Sequence, residues 1–488
     1  MASTRDGLIG KVEEQFDIIL DCLNEFAVAV AKDQKAVFSE RQNVFHDIPA
    51  PRRGGKYIIG PRGTKAIYAA VDHLLEIEPD LKGRIGKGKI GDVIKSFYSK
   101  IILRRTKLSD FLAAKQIIDC CIRYIRSHKL ETTTYVLPVI FIEDSDGEPF
   151  NVGPVRFVPT KRFLTEIESH LARHEEDALR RNIEGERKVI LGERPRIFPG
   201  KENDWPLLDI KKHSTFFTNE FREYIGRYKW VAIVRIENFE PKSGLERANL
   251  CVEAALNAIR LIIGASHSDE FRVGGKFRIE TDPMRLRIED DGKIEIGWTR
   301  RSEGSHVRFK ELKEHMEYYG GVLATAGSLI GVFAKAGTVP VLYQKIFDAW
   351  AWYGEAVSEP HAHAKLLRYV TAMERLVVTS DAGRRRQVID RGGLLCAYGE
   401  FHRLRHFESK ITKCYNARSQ LVHGGVSQFD ESVISASHVA SEVTQKMMLA
   451  GLFWYLFLVH EDREMKPDLL DRYYQRFLHY YADWDGVE

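Results

Sequence analysis

Apolar residues recur along this chain with two different periods, and the period changes twice. Ile9, Val12, Phe16, Ile19, Leu20, Leu23 and Phe26 fall three and four apart, and Ile94, Phe97, Ile101 and Ile102 repeat the rhythm. That spacing lines one face of an α-helix, so residues 7 to about 130 are expected to be mostly helical. Near Thr132 the period shortens. Residues 135–142 and 155–158, with Asp144-Ser145-Asp146-Gly147 between them, predict a β-hairpin. A charged helix from 163 to about 181, a buried strand at 230–236 and a helix at 245–263 follow. Strands are then expected at 271–279, 285–288 and 293–298, with Asp290-Asp291-Gly292 as a hairpin turn. Beyond a linker at Gly337-Thr338-Val339-Pro340 the helical period returns, predicting helices at 342–357, 361–379, about 384–397, 400–423, 433–459 and 468–481. The expected architecture is a multidomain α+β chain. It has a helical N-terminal domain (1–130), a central α+β domain on an antiparallel sheet with helices on one side (131–336), and an all-helical C-terminal domain (340–488).

Composition narrows the class. At 488 residues, 44% hydrophobic and 29% charged, the chain can bury several cores and reads as an ordinary globular protein. Two apolar runs, 318–334 and 447–459, are shorter than the roughly 20 residues a membrane-spanning helix needs, and the first holds four glycines. The second reads as a buried helix packed against the 400–423 helix. No apolar signal core follows Met1, and the six cysteines show no paired spacing. Those two features lead to the expectation of a reducing cytoplasm and no membrane partner. The net charge of +4 is too small to announce nucleic-acid binding.

One stretch breaks its own pattern. The helix at 400–423 places Leu404, Phe407, Ile411 and Cys414 on one apolar stripe, and the next stripe position is Arg418. An always-charged guanidinium there is costly unless it is paired, faces a cleft or meets a partner chain. His423 follows five residues later, on a polar stripe with Asn416 and Ser419 and just ahead of Gly424-Gly425, a natural helix stop. At about 100° per residue, Arg418 and His423 point roughly 140° apart, so one unbroken helix does not aim both at one atom. Chain distortion, convergence of long side chains, or a second copy of the helix is needed to unite them.

The string Tyr415-x-x-Arg418-Ser419-x-Leu421-Val422-His423-Gly424 contains Arg, a polar residue, three more residues and His. It resembles the R-x4-H signature of the HEPN superfamily, in its Apea-like branch. The segment Ala372-Met373-Glu374-Arg375-Leu376 is similar to that branch's first conserved helix, and the likeness spans roughly the last 140 residues. The resemblance implies an all-helical C-terminal bundle that pairs into a dimer or larger homo-oligomer. It also implies an endoribonuclease needing neither metal nor cofactor, and an effector of anti-phage defence answering a phage-derived trigger. His423 would be the acid/base group and Arg418 the phosphate clamp, with Ser419 as the motif's polar second position. Glu374 would orient Arg418 or His423, and Asn416 would lie on the supporting polar stripe. The chemistry agrees, because RNA carries its own nucleophile and needs only a proton acceptor, a proton donor and a cation on the phosphorane.

Several other features bear on that reading. Between Arg384 and His423 nine lysines and arginines face three acids. Arg384, Arg385, Arg386, Arg403, Arg405 and Lys413 are the candidate contacts for RNA, transfer RNA among its forms. Against this stand a structural reading, with Arg418 paired to Glu374 or Glu408, and a HEPN module that binds RNA or protein without cutting it. Gly83-x4-Gly88-Lys89 has the spacing of a phosphate-binding P-loop, but Ile90 stands where a hydroxyl must hold Mg²⁺, and residues 74–78 before it read as helix, not strand. A nucleotide-driven enzyme is therefore rejected, and the loop is kept only as a contact for RNA phosphate. His361-x-His363 lacks acidic or thiolate companions and reads as helix-start surface, not a metal site.

Overall fold

Helical spacing in the first hundred residues is realised as a set of helices around one apolar core. A computed structural model of the chain describes residues 2–32, 46–49, 56–106, 110–190, 207–274, 284–288, 294–298, 307–337, 339–461 and 467–482. Helix α1 (Ala2–Lys32) buries Ile9, Val12, Phe16 and Ile19 completely or nearly so. The strands β1 (His46–Pro49) and β2 (Lys56–Ile59) form a short antiparallel hairpin. Four-residue strands are too brief to show a two-residue period, which is why the helical reading of this region missed them. Helix α2 (Pro61–Ile77) packs on α1, and α3 (Lys87–Tyr98) and α4 (Phe111–His128) close the core with Ile90, Ile94, Ile117, Cys121 and Ile125. Asp110 caps α4 by accepting from the Ala113 N–H at 2.6 Å.

By contacts the chain divides into two units. The first comprises Met1–Tyr135, Arg235–Ala248 and Val332–Thr338; the second comprises Val136–Val234, Asn249–Gly331 and Val339–Glu488. The architecture is mixed α and β and mostly helical.

Next along the chain come β3 (Glu131–Ile140), β4 (Phe150–Val152), β5 (Val155–Pro159), α5 (Thr160–Ile190), α6 (Leu207–Gly226), β6 (Trp230–Phe239), α7 (Pro241–Ile263) and β7 (Arg272–Val273). Five of these strands form one sheet in the order β4-β5-β6-β3-β7. The expected hairpin of 135–142 with 155–158 is therefore corrected. β5 turns about Gly153 (φ 57°) to pair with β4, and its other edge pairs with β6, Phe157 opposite Ala232. Segment 144–147 is an anchored loop, not a tight turn. The Asp144 carbonyl accepts from Trp230 Nε1 at 2.7 Å, and its carboxylate accepts from the Phe309 N–H at 2.9 Å. Phe141, Phe157, Trp230 and Phe271 are buried against one another at the sheet. Only Arg272 and Val273 of the expected 271–279 strand are paired; residues 275–279 and the Asp290-Asp291-Gly292 turn lie outside the described residues. β8 (Met284–Ile288) and β9 (Ile294–Trp298) pair with each other, Leu286 opposite Ile296, and with no other strand among the described residues. Helix α6, which the sequence reading did not anticipate, lies against α5.

After α8 (Phe309–Tyr318), the apolar run at 318–334 becomes α9 (Gly320–Ala334). Its glycines have a packing use. A Cβ on Gly327 or on Gly153 would collide with the other's backbone, so helix and β-turn touch directly. Among the described residues no helix is long and apolar enough to cross a membrane.

The remaining helices are α10 (Val341–Ser358), α11 (Ala362–Val377), α12 (Arg384–Cys396), α13 (Leu404–Val422), α14 (Glu431–Glu461) and α15 (Pro467–Ala482). α14 lies against α10, α11, α12 and α13, burying Val443, Met447, Leu452 and Tyr455. Close approach is again made by glycine. A Cβ at Gly392 would come 3.0 Å from both Ile411 and Met447 side chains. We expect Gly392→Leu to overpack this junction and lower the unfolding free energy by about 1–3 kcal/mol, measured by urea denaturation; an unchanged midpoint would contradict the packing described.

Candidate active site

Phe407, Ile411 and Cys414 on α13 are fully buried. Removing the first two from water contributes about 1.5–3 kcal/mol each, more than any single surface contact on the helix. That burial fixes how α13 is rotated. Ala417, 8% exposed, takes the next core position, and Arg418 falls beside it, half-buried on the margin of the stripe.

Rotation of α13 turns Tyr415 towards α11. Its phenol donates to Glu374 Oε1 at 3.2 Å. Burial first, and then the negative charge of Glu374, hold the phenol above its ordinary pKa. Tyr415 therefore stays a protonated donor at neutral pH. Arg418 lies over the same ring, its Cζ 5.9 Å from the centroid, a cation–π contact worth about 0.5–1 kcal/mol when exposed. Among the described residues Arg418 makes no ion pair with Glu374 or with Glu408, whose carboxylate is taken by Arg405 at 2.9 Å. The expected direct hold of Glu374 on Arg418 or His423 is thus replaced by an indirect one through Tyr415. Arg418 Nε is buried and has no hydrogen-bond partner among the described residues. An unmade bond of that kind costs about 1–3 kcal/mol.

Helix α12 brings two further candidates to the cluster. Arg385 donates to Asn416 Oδ1 at 2.9 Å, and Arg384, paired with Asp381, feels the charge of Glu374. Glu374, Arg384, Arg385, Tyr415, Asn416 and Arg418 therefore share one neighbourhood. Other candidates lie elsewhere. Arg403 and Arg405 stand at the opposite end of α13, about 20 Å from Arg418 at 1.5 Å per residue. Arg403 pairs with Glu400, Arg386 with Asp390, and Lys413 donates to Ser435 Oγ at 3.1 Å. The local excess of positive charge is also smaller in space than along the sequence. Asp381, Glu442 and Asp471, all outside the counted window, neutralise Arg384, Lys410 and Arg391. The exposed pair of Arg384 with Asp381 holds by only about 0–1 kcal/mol, so a phosphate can compete for it, whereas Arg391 is buried.

His423 is exposed and ends the helix. Its N–H donates to the half-buried Ser419's carbonyl at 3.0 Å. Gly424 then enters the left-handed region (φ 73°), and the N–H of Gly425 closes on the Gln420 carbonyl at 2.7 Å while that of Gly424 reaches Leu421 at 3.4 Å. These two bonds make a Schellman stop. Because α13 stays regular to Val422, Arg418 and His423 leave it on different faces, and no hydrogen bond joins them within the chain among the described residues. His423's ring has no hydrogen-bond or ion-pair partner among those residues either. No group of three or more His, Cys, Asp or Glu able to hold a metal is found there, and the rings of His361 and His363 stack 5.7 Å apart.

Sequence reasoning quoted Tyr415 but gave it no role. The available signal was its i, i+3 spacing to Arg418, which puts ring and guanidinium on one face. Comparison with family models, with curated proteins and with solved structures yields no match.

Two outcomes test this geometry. A Cβ at Gly424 meets nothing within 4 Å, so Gly424→Ala should lower stability by about 1 kcal/mol through its backbone conformation alone, with Gly424→Asn less affected. Tyr415→Phe keeps the ring and loses the bond to Glu374, and urea unfolding should show a loss of about 1 kcal/mol; no loss would mean the bond is not made in solution.

Proposed function

We propose that the chain is a metal-independent endoribonuclease of HEPN type that acts in the cytoplasm as a pair of protomers. One observation carries the reading. Arg418 is a half-buried guanidinium, braced by Tyr415, whose Nε finds no acceptor among the described residues, while an exposed imidazole ends the same helix. A cation held in place and lacking an anion is what recognition of a phosphodiester requires.

In the proposed reaction the RNA 2′-OH attacks the adjacent phosphorus as an imidazole takes its proton. The new O2′–P bond forms, the P–O5′ bond breaks, and the departing 5′ oxygen receives a proton. Arg418 opposes the charge that builds on the non-bridging oxygens. One neutral imidazole cannot accept and donate in the same step. Two copies of α13 would supply two His423 side chains, and pairing would also offset the roughly 140° between Arg418 and His423 on one helix. Glu374 acts here through Tyr415, and Arg384 and Arg385 extend the cationic surface along the RNA. The role as a defence effector, with the preceding segments sensing a phage-derived trigger, rests on the family resemblance alone.

A second reading, a HEPN module that binds RNA or protein without cutting, is favoured by one observation: among the described residues nothing fixes the tautomer or orientation of His423. Purified protein incubated with total RNA in EDTA decides between them. The nuclease reading expects cleavage products ending in 2′,3′-cyclic phosphate, with Arg418→Ala and His423→Ala each slowing cleavage about 100-fold or more. Cleavage that requires Mg²⁺ would overturn it, and a gel shift without cleavage would establish the binding module.

A further inference from the structure

The first unit contains a cavity of about 460 Å³ that the proposed nuclease does not use. Its walls come from α2 and from the first turns of α3 and α7. The glycine-rich segment set aside as a P-loop mimic forms one side. Gly86 is the N-cap of α3, a twelve-residue helix, and no side chain caps it. The N–H groups of Lys87 and Gly88 precede the first bonds of the helix, which run from Lys89 and Ile90 to the Gly86 carbonyl. A Cβ at Gly86 or at Gly88 would meet nothing within 4 Å, so bare backbone faces open space.

Four further groups line the same cavity. Lys89 and Lys242 line the cavity and have no ion-pair partner among the described residues. Lys95, 8% exposed, lines it as well, with Asp92 as its partner at 3.0 Å. Thr64 of α2 also lines the cavity, and its hydroxyl oxygen is buried with no hydrogen-bond partner among the described residues. Glu240 keeps its negative charge but is turned to the start of α7, where its carboxylate accepts from the Ser243 N–H and hydroxyl at 3.2 and 3.3 Å. With Asp92 and Glu246 it balances the three lysines, so the anion-binding character rests on the bare helix start and on the two lysines without an ion-pair partner. The segment is also held in place. Arg84 Nε donates to the Asn238 carbonyl at 2.9 Å, and the Glu240 N–H donates to the Arg84 carbonyl at 2.8 Å. The remaining lining is unlike that of a bare anion site. Ile67 and the ring of Tyr68, 40% exposed, present apolar surface, and Glu246 adds a hydrogen-bond acceptor.

We infer that this cavity binds a nucleoside phosphate. Phosphate sits on the start of α3 between Lys89 and Lys242, the base lies against Tyr68 and Ile67, and Glu246 accepts from a ribose hydroxyl. Binding, not hydrolysis, is the function inferred, because Ile90 follows Lys89 where a metal-holding hydroxyl is needed.

Calorimetric titration of the full-length protein with AMP, ATP, adenosine and inorganic phosphate tests the inference. AMP or ATP should bind, and adenosine at the same concentration should not. Lys89→Ala should weaken binding roughly tenfold, the equivalent of one charge-assisted bond. Gly88→Asp, which puts a carboxylate on the helix start, should abolish it, and circular dichroism should show both variants folded. Tyr68→Ala should weaken the nucleotide but leave phosphate unchanged. Mononucleotides have no phosphodiester to cut, so Arg418→Ala should bind as the wild type does whether or not the nuclease reading holds. Absence of nucleotide binding, binding indifferent to Lys89→Ala, or binding lost in Arg418→Ala overturns the inference. Phosphate binding as tightly as the nucleotide overturns its nucleoside part.

Discussion

Burial of Phe407, Ile411 and Cys414 sets the rotation of α13, and the polar cluster follows from that rotation. A helix whose stripe is locked in a core cannot choose where its other faces point. Tyr415 is carried to Glu374, Asn416 to Arg385, and Arg418 to the margin of the core. Gly392 and Gly451 serve the same end, since each sits where a larger residue would push neighbouring side chains from α11, α13 or α14 away. The groups proposed to meet RNA are thus placed by packing, and their mutual geometry is as firm as the apolar contacts beneath them.

Arg418 and the start of α3 are two solutions to one problem. Among the described residues each leaves polar donors without an acceptor, the first through a half-buried guanidinium and the second through backbone N–H groups that no side chain caps. Only the first sacrifices stability, because a buried unsatisfied donor loses its water without replacement, whereas the exposed N–H groups of Lys87 and Gly88 keep theirs. Local support offsets part of that loss. A tyrosine ring backs the guanidinium, and the bonds of Arg84 and Glu240 hold the glycine segment. Other buried cations are treated differently. Arg391 is tied to Asp471 and to the carbonyl of Val377, and Arg260 to the carbonyls of Ser268 and Phe271, so they join segments instead of waiting for ligands.

Charge counted along a sequence behaves differently from charge in space. The basic run from Arg384 onward loses much of its excess to Asp381, Glu442 and Asp471, two of which arrive from distant helices. Arg403 and Arg405 belong to the run by number, yet helix length separates them from Arg418. Proximity in the chain predicted one continuous cationic surface, and the crossing of α11, α12 and α13 gathers fewer of those cations in one place.

Much of the local structure was legible in the residues alone. The helices from Val341 to Ala482 match the bounds expected from apolar spacing, and the stop at Gly424-Gly425 was readable, because helices and their caps are written within a few neighbouring residues. Arg418 could be singled out because a permanent charge interrupted an apolar stripe. Tertiary structure decided the rest. It separated 135–142 from 155–158, and gave Glu374 to Tyr415 instead of Arg418. It also set an uncapped helix start beside Lys242 from another part of the chain. Strand partners, hydrogen-bond partners and cavity walls join residues far apart in sequence. They depend on which surfaces bury the most apolar area together, and periodicity within one segment carries no record of that choice.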